Sequence, residues 1–452
     1  MESTVSQPSV RDVLADRNYL YYLTGNFCSS VGIWVQRVAI GYYTWQLTHS
    51  AAWLGIIAIS ETGPTILLGL VAGTFLDRAN HIRVLRITQA LFLGYSIVLA
   101  VLTYFGLMTV WLLAPMVFFR GTVFAFNRPA RQTVVYELVG RQLLAPALAL
   151  NSTVFNSSKF IGPGIGGVCL DFFGVAWTFA ASAALLFVFT VALRLLRVPA
   201  QPPRVRETRS IPREMLEGFQ YIATHPGVRM QFALMIMVSL CAKPLTDLLP
   251  GYAEGIYGRD ARGLAWMLGC HGVGAMCGGA LLAMRARIQG LTKVVLTAIV
   301  SMGVALILFT LCDVFWISCG LLLFTGFTFV CMDISSQTLV QSAIRTRYRG
   351  RTMSVYGMIS QGVPSIGTLT MGTAAGHFGL RLPVAAGAGI CLVLGLCAWM
   401  FQGRLGEALE SEAEKSNNVA STVSESATLV DSGTADAATS IAVSSSKEVA
   451  EG

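Results

Sequence analysis

The chain has 452 residues, of which 54% are hydrophobic and only 12% charged, with a net charge of +8. A soluble domain carries roughly 25% charged residues, so a water-soluble globular fold is excluded and the surplus apolar surface needs a bilayer. The net charge argues for no nucleic-acid partner, because where the charges sit matters more than their sum.

Residues 1–18 are polar and contain no apolar h-region, so a cytoplasmic N-terminus without a cleavable signal peptide is expected. A membrane-crossing helix needs about 20 mostly apolar residues. Such spans are predicted at 19–47, 52–76, 84–106, 111–136, 145–170 and 175–196, which together form an N-terminal bundle, 19–196. Residues 197–228 read as a cytoplasmic linker. It opens Pro- and Arg-rich, and then places Met215, Leu216, Phe219 and Ile222 on one helical face, which predicts a helix lying along the membrane surface. Further spans at 229–252, 263–284, 293–312, 315–338, 351–376 and 382–402 make a C-terminal bundle, 229–402. Residues 403–452 contain no aromatic side chain and are rich in Ser, Ala and Glu; a disordered cytoplasmic tail is expected. The ten Cys stand singly in apolar runs with no CxxC pair and are expected as small core residues, with neither disulfide nor metal.

Basic residues alternate between sides. Of 32 Lys and Arg, 25 fall on the termini and the loops of one side, while Arg259, Arg262 and Arg381 fall on the other. The positive-inside rule then puts both termini in the cytoplasm of an inner-membrane protein. The remaining basic residues and three acidic ones lie inside spans, where each is costly and therefore a functional candidate. They are Arg37, Glu61, Arg120, Lys159, Lys243, Asp247 and Asp333. Lys243 and Asp247 are four apart and can pair on one helical face. Asp333 is within reach of the Arg345–Arg351 cluster. Glu61 has no basic neighbour in sequence, which makes it the preferred proton carrier. For Lys243 with Asp247, and for Asp333, the alternative role is a structural ion pair. Four basic against three acidic groups favours an anionic or zwitterionic solute.

The halves echo each other. Gln132-Thr133-Val134-Val135 recurs 205 residues on as Gln337-Thr338-Leu339-Val340, and Phe173-Gly174 recurs as Phe378-Gly379. A Gly- and Pro-rich helix precedes each: Gly162, Pro163, Gly166 and Gly167 in the first half, Gly362, Pro364 and Gly367 in the second. The fold class expected is an all-α integral membrane protein of about twelve transmembrane helices in two pseudo-symmetric six-helix bundles.

The loop after the second span contains Gly73, Asp77, Arg78, Asn80 and Arg83. It resembles the signature loop of the major facilitator superfamily, Gly-x-x-x-Asp-Arg-x-Gly-x-x-Arg. Asn80 stands where that pattern has Gly, and Asn tolerates the left-handed conformation of a tight turn. The resemblance implies a conformational latch at Gly73, Asp77, Arg78 and Arg83. It also implies that helices 1, 4, 7 and 10 line a central cavity. Gly162-Pro163 is similar to the helix-kink motif of drug antiporters, beside its plainer role in packing. Further stretches carry the likeness over roughly residues 18–400: Trp34 to Ala39, Arg128-Pro129-Ala130-Arg131, Glu137, Asn151, Lys159 and His225-Pro226. They are similar to the branch of transmembrane secretion effectors that includes the enterobactin exporter.

No phosphate-binding Gly-x-x-x-x-Gly-Lys-Ser/Thr loop occurs, and the His residues (49, 81, 225, 271 and 377) form no catalytic pattern. An enzyme and a cofactor are not expected. The expected function is a proton-coupled secondary exporter of a small metabolite, siderophore or drug working by alternating access as a monomer, with membrane lipids and protons as its other partners. An importer or a lysophospholipid transporter of the same fold is the alternative, and a non-transporting membrane sensor a remote one.

Overall fold

The computed structural model describes residues 10–76, 79–140, 143–196, 211–285, 289–344 and 346–403. All regular structure among them is helical. A short α1 (Val10–Ala15) leads to Asp16, whose carboxylate caps the next helix by accepting from the Asn18 and Tyr19 amides at 2.8 and 3.4 Å. That helix, α2 (Arg17–Thr48), is followed by α3 (Ala51–Leu76), α4 (His81–Tyr104), α5 (Val110–Val139) and α6 (Leu144–Leu195). The second half holds α8 (Pro226–Cys241), α9 (Pro244–Gly251), α10 (Ala261–Arg285), α11 (Leu291–Leu311), α12 (Phe315–Ala343), α13 (Thr346–Phe378) and α14 (Arg381–Met400). Between the halves lies α7 (Ile211–Thr224).

Nine stretches among the described residues are long and apolar enough to cross a membrane. One of them, Pro146–Leu195, is two spans joined at Gly174, whose φ of 75° breaks the helical path. Its repeat partner Gly379 has a φ of 74°. A side chain is strained in that region of backbone space, so the recurring Phe-Gly pair marks the same turn twice. Two further helices, α2 and α13, are 32 and 33 residues long, enough to span about 48 Å at 1.5 Å per residue. Their many polar side chains keep them out of the apolar set, and they bring the number of spans to twelve.

The seventh span is not the single helix expected at 229–252. Pro244 has no amide hydrogen to donate, so the path breaks at Ala242–Lys243 between α8 and α9, and then closes with a π turn over Tyr252–Ile256.

The halves touch through glycines placed by the repeat. An ideal Cβ on Gly162 would lie 2.4 Å from the Cβ of Trp34 in α2. On Gly367, 205 residues later, it would lie 2.4 Å from the carbonyl of Leu240 in α8. Each therefore packs against the first helix of its own half. Gly167 and Gly372 form a second pair at the same offset. A Cβ there would lie 2.6 Å from Ala265 in α10 and 2.2 Å from the Ala51 carbonyl at the start of α3. Each packs against the opposite half. Both inter-half contacts lie on the side away from the termini, the far side, where Arg262 also pairs with Asp171 at 3.0 Å. On the near side the described ion pairs do not join one bundle to the other: His81–Glu137 at 2.7 Å lies within the first, and Arg351–Glu217 ties α13 to the linker helix α7.

The α7 helix forms where the amphipathic linker helix is expected, and its apolar face is turned towards α13. Tyr221 and Ile222 are buried while Phe219 is exposed, and Gly218 abuts the Arg351 carbonyl. Docking against α13 hides one side of the apolar face. At the far side, pairs of rings form a belt: Trp53–Trp111 at 4.8 Å, Trp266–Trp316 at 5.5 Å and Tyr104–Trp177 at 6.3 Å. Indole and phenol rings favour the headgroup level of a bilayer.

Candidate functional site

All seven interior ionisable residues fall into two clusters where the halves face each other. The first is built on α2, α3, α5 and α9. Arg120 of α5, only 3% exposed, donates from Nη1 to Glu61 Oε1 at 2.5 Å. The approach of α5 to α3 depends on Gly121, where a Cβ would lie 2.2 Å from the Glu61 carbonyl. Arg37 of α2 lies 3.9 Å from the other Glu61 oxygen and donates from Nη2 to Asp247 Oδ1 at 3.2 Å. Thr368 of α13 donates to Asp247 Oδ2 at 3.1 Å. Two guanidinium groups thus face two carboxylates, and the Arg37–Asp247 pair joins the two halves. Arg37 also lies 5.4 Å over the ring of Trp34.

The second cluster is built on α6, α12 and the break in the seventh span. Lys243, at that break, lies 3.4 Å from Asp333 of α12 and 5.3 Å from the ring of Phe329, one turn earlier on α12. Lys159 of α6 lies 5.7 Å from the same ring. No carboxylate pairs with Lys159 among the described residues. The His271 ring is 6.3 Å from Phe329, and its buried Nδ1 has no hydrogen-bond partner among the described residues.

Three expectations from the sequence change here. Lys243 and Asp247 do not pair with each other. The break points Lys243 towards α12, and the planar guanidinium of Arg37 takes the Asp247 carboxylate instead. Glu61 does not lack a basic neighbour; Arg37 and Arg120 come from helices adjacent in space but distant in sequence. The described partner of Asp333 is Lys243; of the Arg345–Arg351 cluster, Arg351 engages Glu217, and the side chains of Arg345, Arg347 and Arg349 lie outside the described residues.

In the signature loop Asp77 and Arg78 lie outside the described residues. Gly73 is half-buried near the end of α3, and Arg83 is exposed in the first turn of α4. Asn80 is not in the left-handed conformation. Its φ of −76° and ψ of 109° are extended, and its side chain accepts the Arg83 amide at 3.0 Å as the N-cap of α4. Gly162 and Gly167 of the kink motif serve packing, as described above, a Cβ on Gly166 would lie 3.2 Å from the Val35 Cα in α2, and Pro163 lies inside α6. Residues 403–452 are also outside the described residues, apart from Gly403.

Sequence reading passed over Phe329 and Thr368, whose types carry no special signal. It also missed a polar cluster in the first half. Arg131 donates to Asn26 at 2.7 Å and to Ser29 and Ser30 at 3.2 and 3.3 Å, and lies 5.0 Å over Phe189. Asn26 in turn donates to Asn151 at 2.7 Å. Arg131 and Asn151 had stood out only as parts of a resembling pattern. Among the described residues no group of three His, Cys, Asp or Glu is gathered as a metal site requires.

Residues 14–435 match the transmembrane secretion effector family. The chain is 22% identical to the staphyloferrin A transporter of Staphylococcus aureus, over 80% of this chain and 90% of that protein. It is 24% identical to the multidrug efflux pump Tap of Mycolicibacterium fortuitum, over 86% and 96%. It is 28% identical to the enterobactin exporter EntS of Shigella boydii, over 47% and 51%. Among solved structures the fold is similar to the nucleoside transporter NupG, with a TM-score of 0.68 at 12% identity, covering 85% of this chain and 99% of that one. It is likewise similar to a bacterial homologue of the lysosomal transporter Spinster in an inward-facing, unoccupied conformation, with a TM-score of 0.66 at 13% identity, covering 87% and 98%.

Proposed function

Since the chain belongs to the transmembrane secretion effector family and has the major facilitator fold, we propose that it exports a small metabolite, siderophore or drug by alternating access, driven by protons. It is a membrane transporter and not an enzyme. The observation that carries the finer reading is the Arg37–Asp247 ion pair across the halves.

With the halves in contact on the far side, Arg37 neutralises Asp247. Rocking the far side open separates α2 from α9 and strands Asp247. A stranded carboxylate in a low-dielectric interior costs several kcal/mol, and taking up a proton relieves that cost. A proton entering from the far side therefore replaces Arg37. When the far side closes, Arg37 returns and the proton leaves on the near side. Glu61–Arg120 lies within one half and is not parted by this motion, so Asp247, rather than Glu61, is the proposed proton carrier. The charge asymmetry of the loops supports cytoplasmic termini in an inner membrane, which makes the near side the side of cargo loading. Gly73, Asp77, Arg78 and Arg83 would act as the near-side latch once that side closes.

Inverted membrane vesicles carrying an imposed proton gradient test this, with enterobactin, staphyloferrin A and ethidium as cargo probes. At least one probe should accumulate in a gradient-dependent way. Asp247→Asn should abolish accumulation and keep gradient-independent exchange of cargo. Accumulation only in right-side-out vesicles would sink export, and full gradient-driven transport by Asp247→Asn would sink the carrier role. Asp77→Asn should slow transport at normal expression if the latch role is right.

A further inference from the structure

We propose that Lys159 and Lys243, which both lie against the Phe329 ring, form the seat for a carboxylate of the cargo, held between the two halves. The inference rests on the reading of the chain as a carrier of small solutes, and it adds where the solute binds and what group it must carry.

The two clusters differ in their balance of charge. In the first, Arg37 and Arg120 face Glu61 and Asp247, so it is neutral, and a bound ion of either sign would upset it. In the second, Asp333 is the one carboxylate that Lys159 and Lys243 face among the described residues, so one positive charge is unmatched there. An uncompensated charge inside a membrane protein is costly. Contact with an aromatic face offsets only part of that cost. One negative charge on the cargo completes the balance. A carboxylate brings one, whereas a phosphate monoester brings nearly two at neutral pH.

Position supports the same reading. Both ammonium groups stand off one ring at 5.7 and 5.3 Å. Lys159 belongs to the first half and Phe329, Lys243 and Asp333 to the second. An anion shared by the two lysines therefore sits across the interface that rocking opens. An apolar part of the cargo has the Phe329 face to rest on, and the buried, unpartnered Nδ1 of His271 is a further polar atom beside it. Lysine suits this task because its ammonium is a compact charge with three freely turning donors, able to change partners.

The test is binding to the purified full-length protein at pH 7. The probes are 2-naphthoate and its neutral amide, 2-naphthamide, followed by calorimetry with no gradient present. The wild type should prefer the acid by about tenfold. Lys159→Gln should remove the preference, and Lys159→Arg, which keeps the charge, should retain most of it. Melting curves of the variants check that each is folded. A wild type that does not favour the acid, or a folded Lys159→Gln protein that still does, overturns the proposal. Because no transport is measured, failed export in vesicles leaves this result standing, and a failed binding preference leaves the export reading standing.

Discussion

The two charge clusters of the interior are built from opposite materials. One pairs guanidinium groups with carboxylates in equal number and reaches the most buried ionisable group of the site, Arg120 at 3% exposed. The other uses ammonium groups in excess, an aromatic ring and a single carboxylate that is 28% exposed. Guanidinium presents a rigid fork that matches a carboxylate, while ammonium is a mobile point charge. Within the first cluster Glu61–Arg120 is a fixed strut inside the first half, whereas the second cluster is a place where partners exchange.

The sharpest way to break this contrast is Arg120→Gln. It leaves the half-buried Glu61 with only the more distant Arg37, so a loss of about 2–3 kcal/mol in stability is expected. That loss should be visible as a collapse in purified yield and melting temperature. Adding Glu61→Gln to it should recover much of the loss, since no charge is then stranded. If the double variant is no better than the single one, Arg120 holds the fold by packing rather than by charge.

Asp333→Asn should cost less, about 1–2 kcal/mol, because a partly exposed partner leaves Lys243 near water and the Phe329 face. The same change raises the cation excess, so naphthoate binding should tighten several-fold by calorimetry. Unchanged affinity would mean that the cluster does not read charge.

Lys159→Met should have the smallest effect on melting, within about 1 kcal/mol in either direction, since replacing an unpaired interior charge by an apolar chain is often neutral or stabilising. A drop as large as that of Arg120→Gln would erase the distinction between the clusters.

Much of this architecture was legible before any coordinates. Bilayer thickness dictates the length of each apolar run, so the last span, read as 382–402, is found at 381–400. The cost of charge in a membrane likewise singled out all seven interior residues. Their partners were not legible. Pairing Lys243 with Asp247 assumed an unbroken helix, yet Pro244 interrupts it, and the rotation of α2 and α5 that aims Arg37 and Arg120 at Glu61 is set by side-chain packing across several helices. Asn80 was read by analogy with a glycine, whereas its own side chain prefers to cap the helix that follows.

The ring of aromatic pairs on the far side has an optical consequence. Six of the eight tryptophans, Trp45, Trp53, Trp111, Trp177, Trp266 and Trp316, sit towards that surface. The intrinsic fluorescence of the protein is therefore dominated by one leaflet. A lipid quencher confined to the far leaflet of a reconstituted vesicle should darken most of the emission, while the same quencher in the other leaflet should spare it. The protein thus carries its own label for sidedness, and the fraction inserted in each orientation can be read from an unmodified sample.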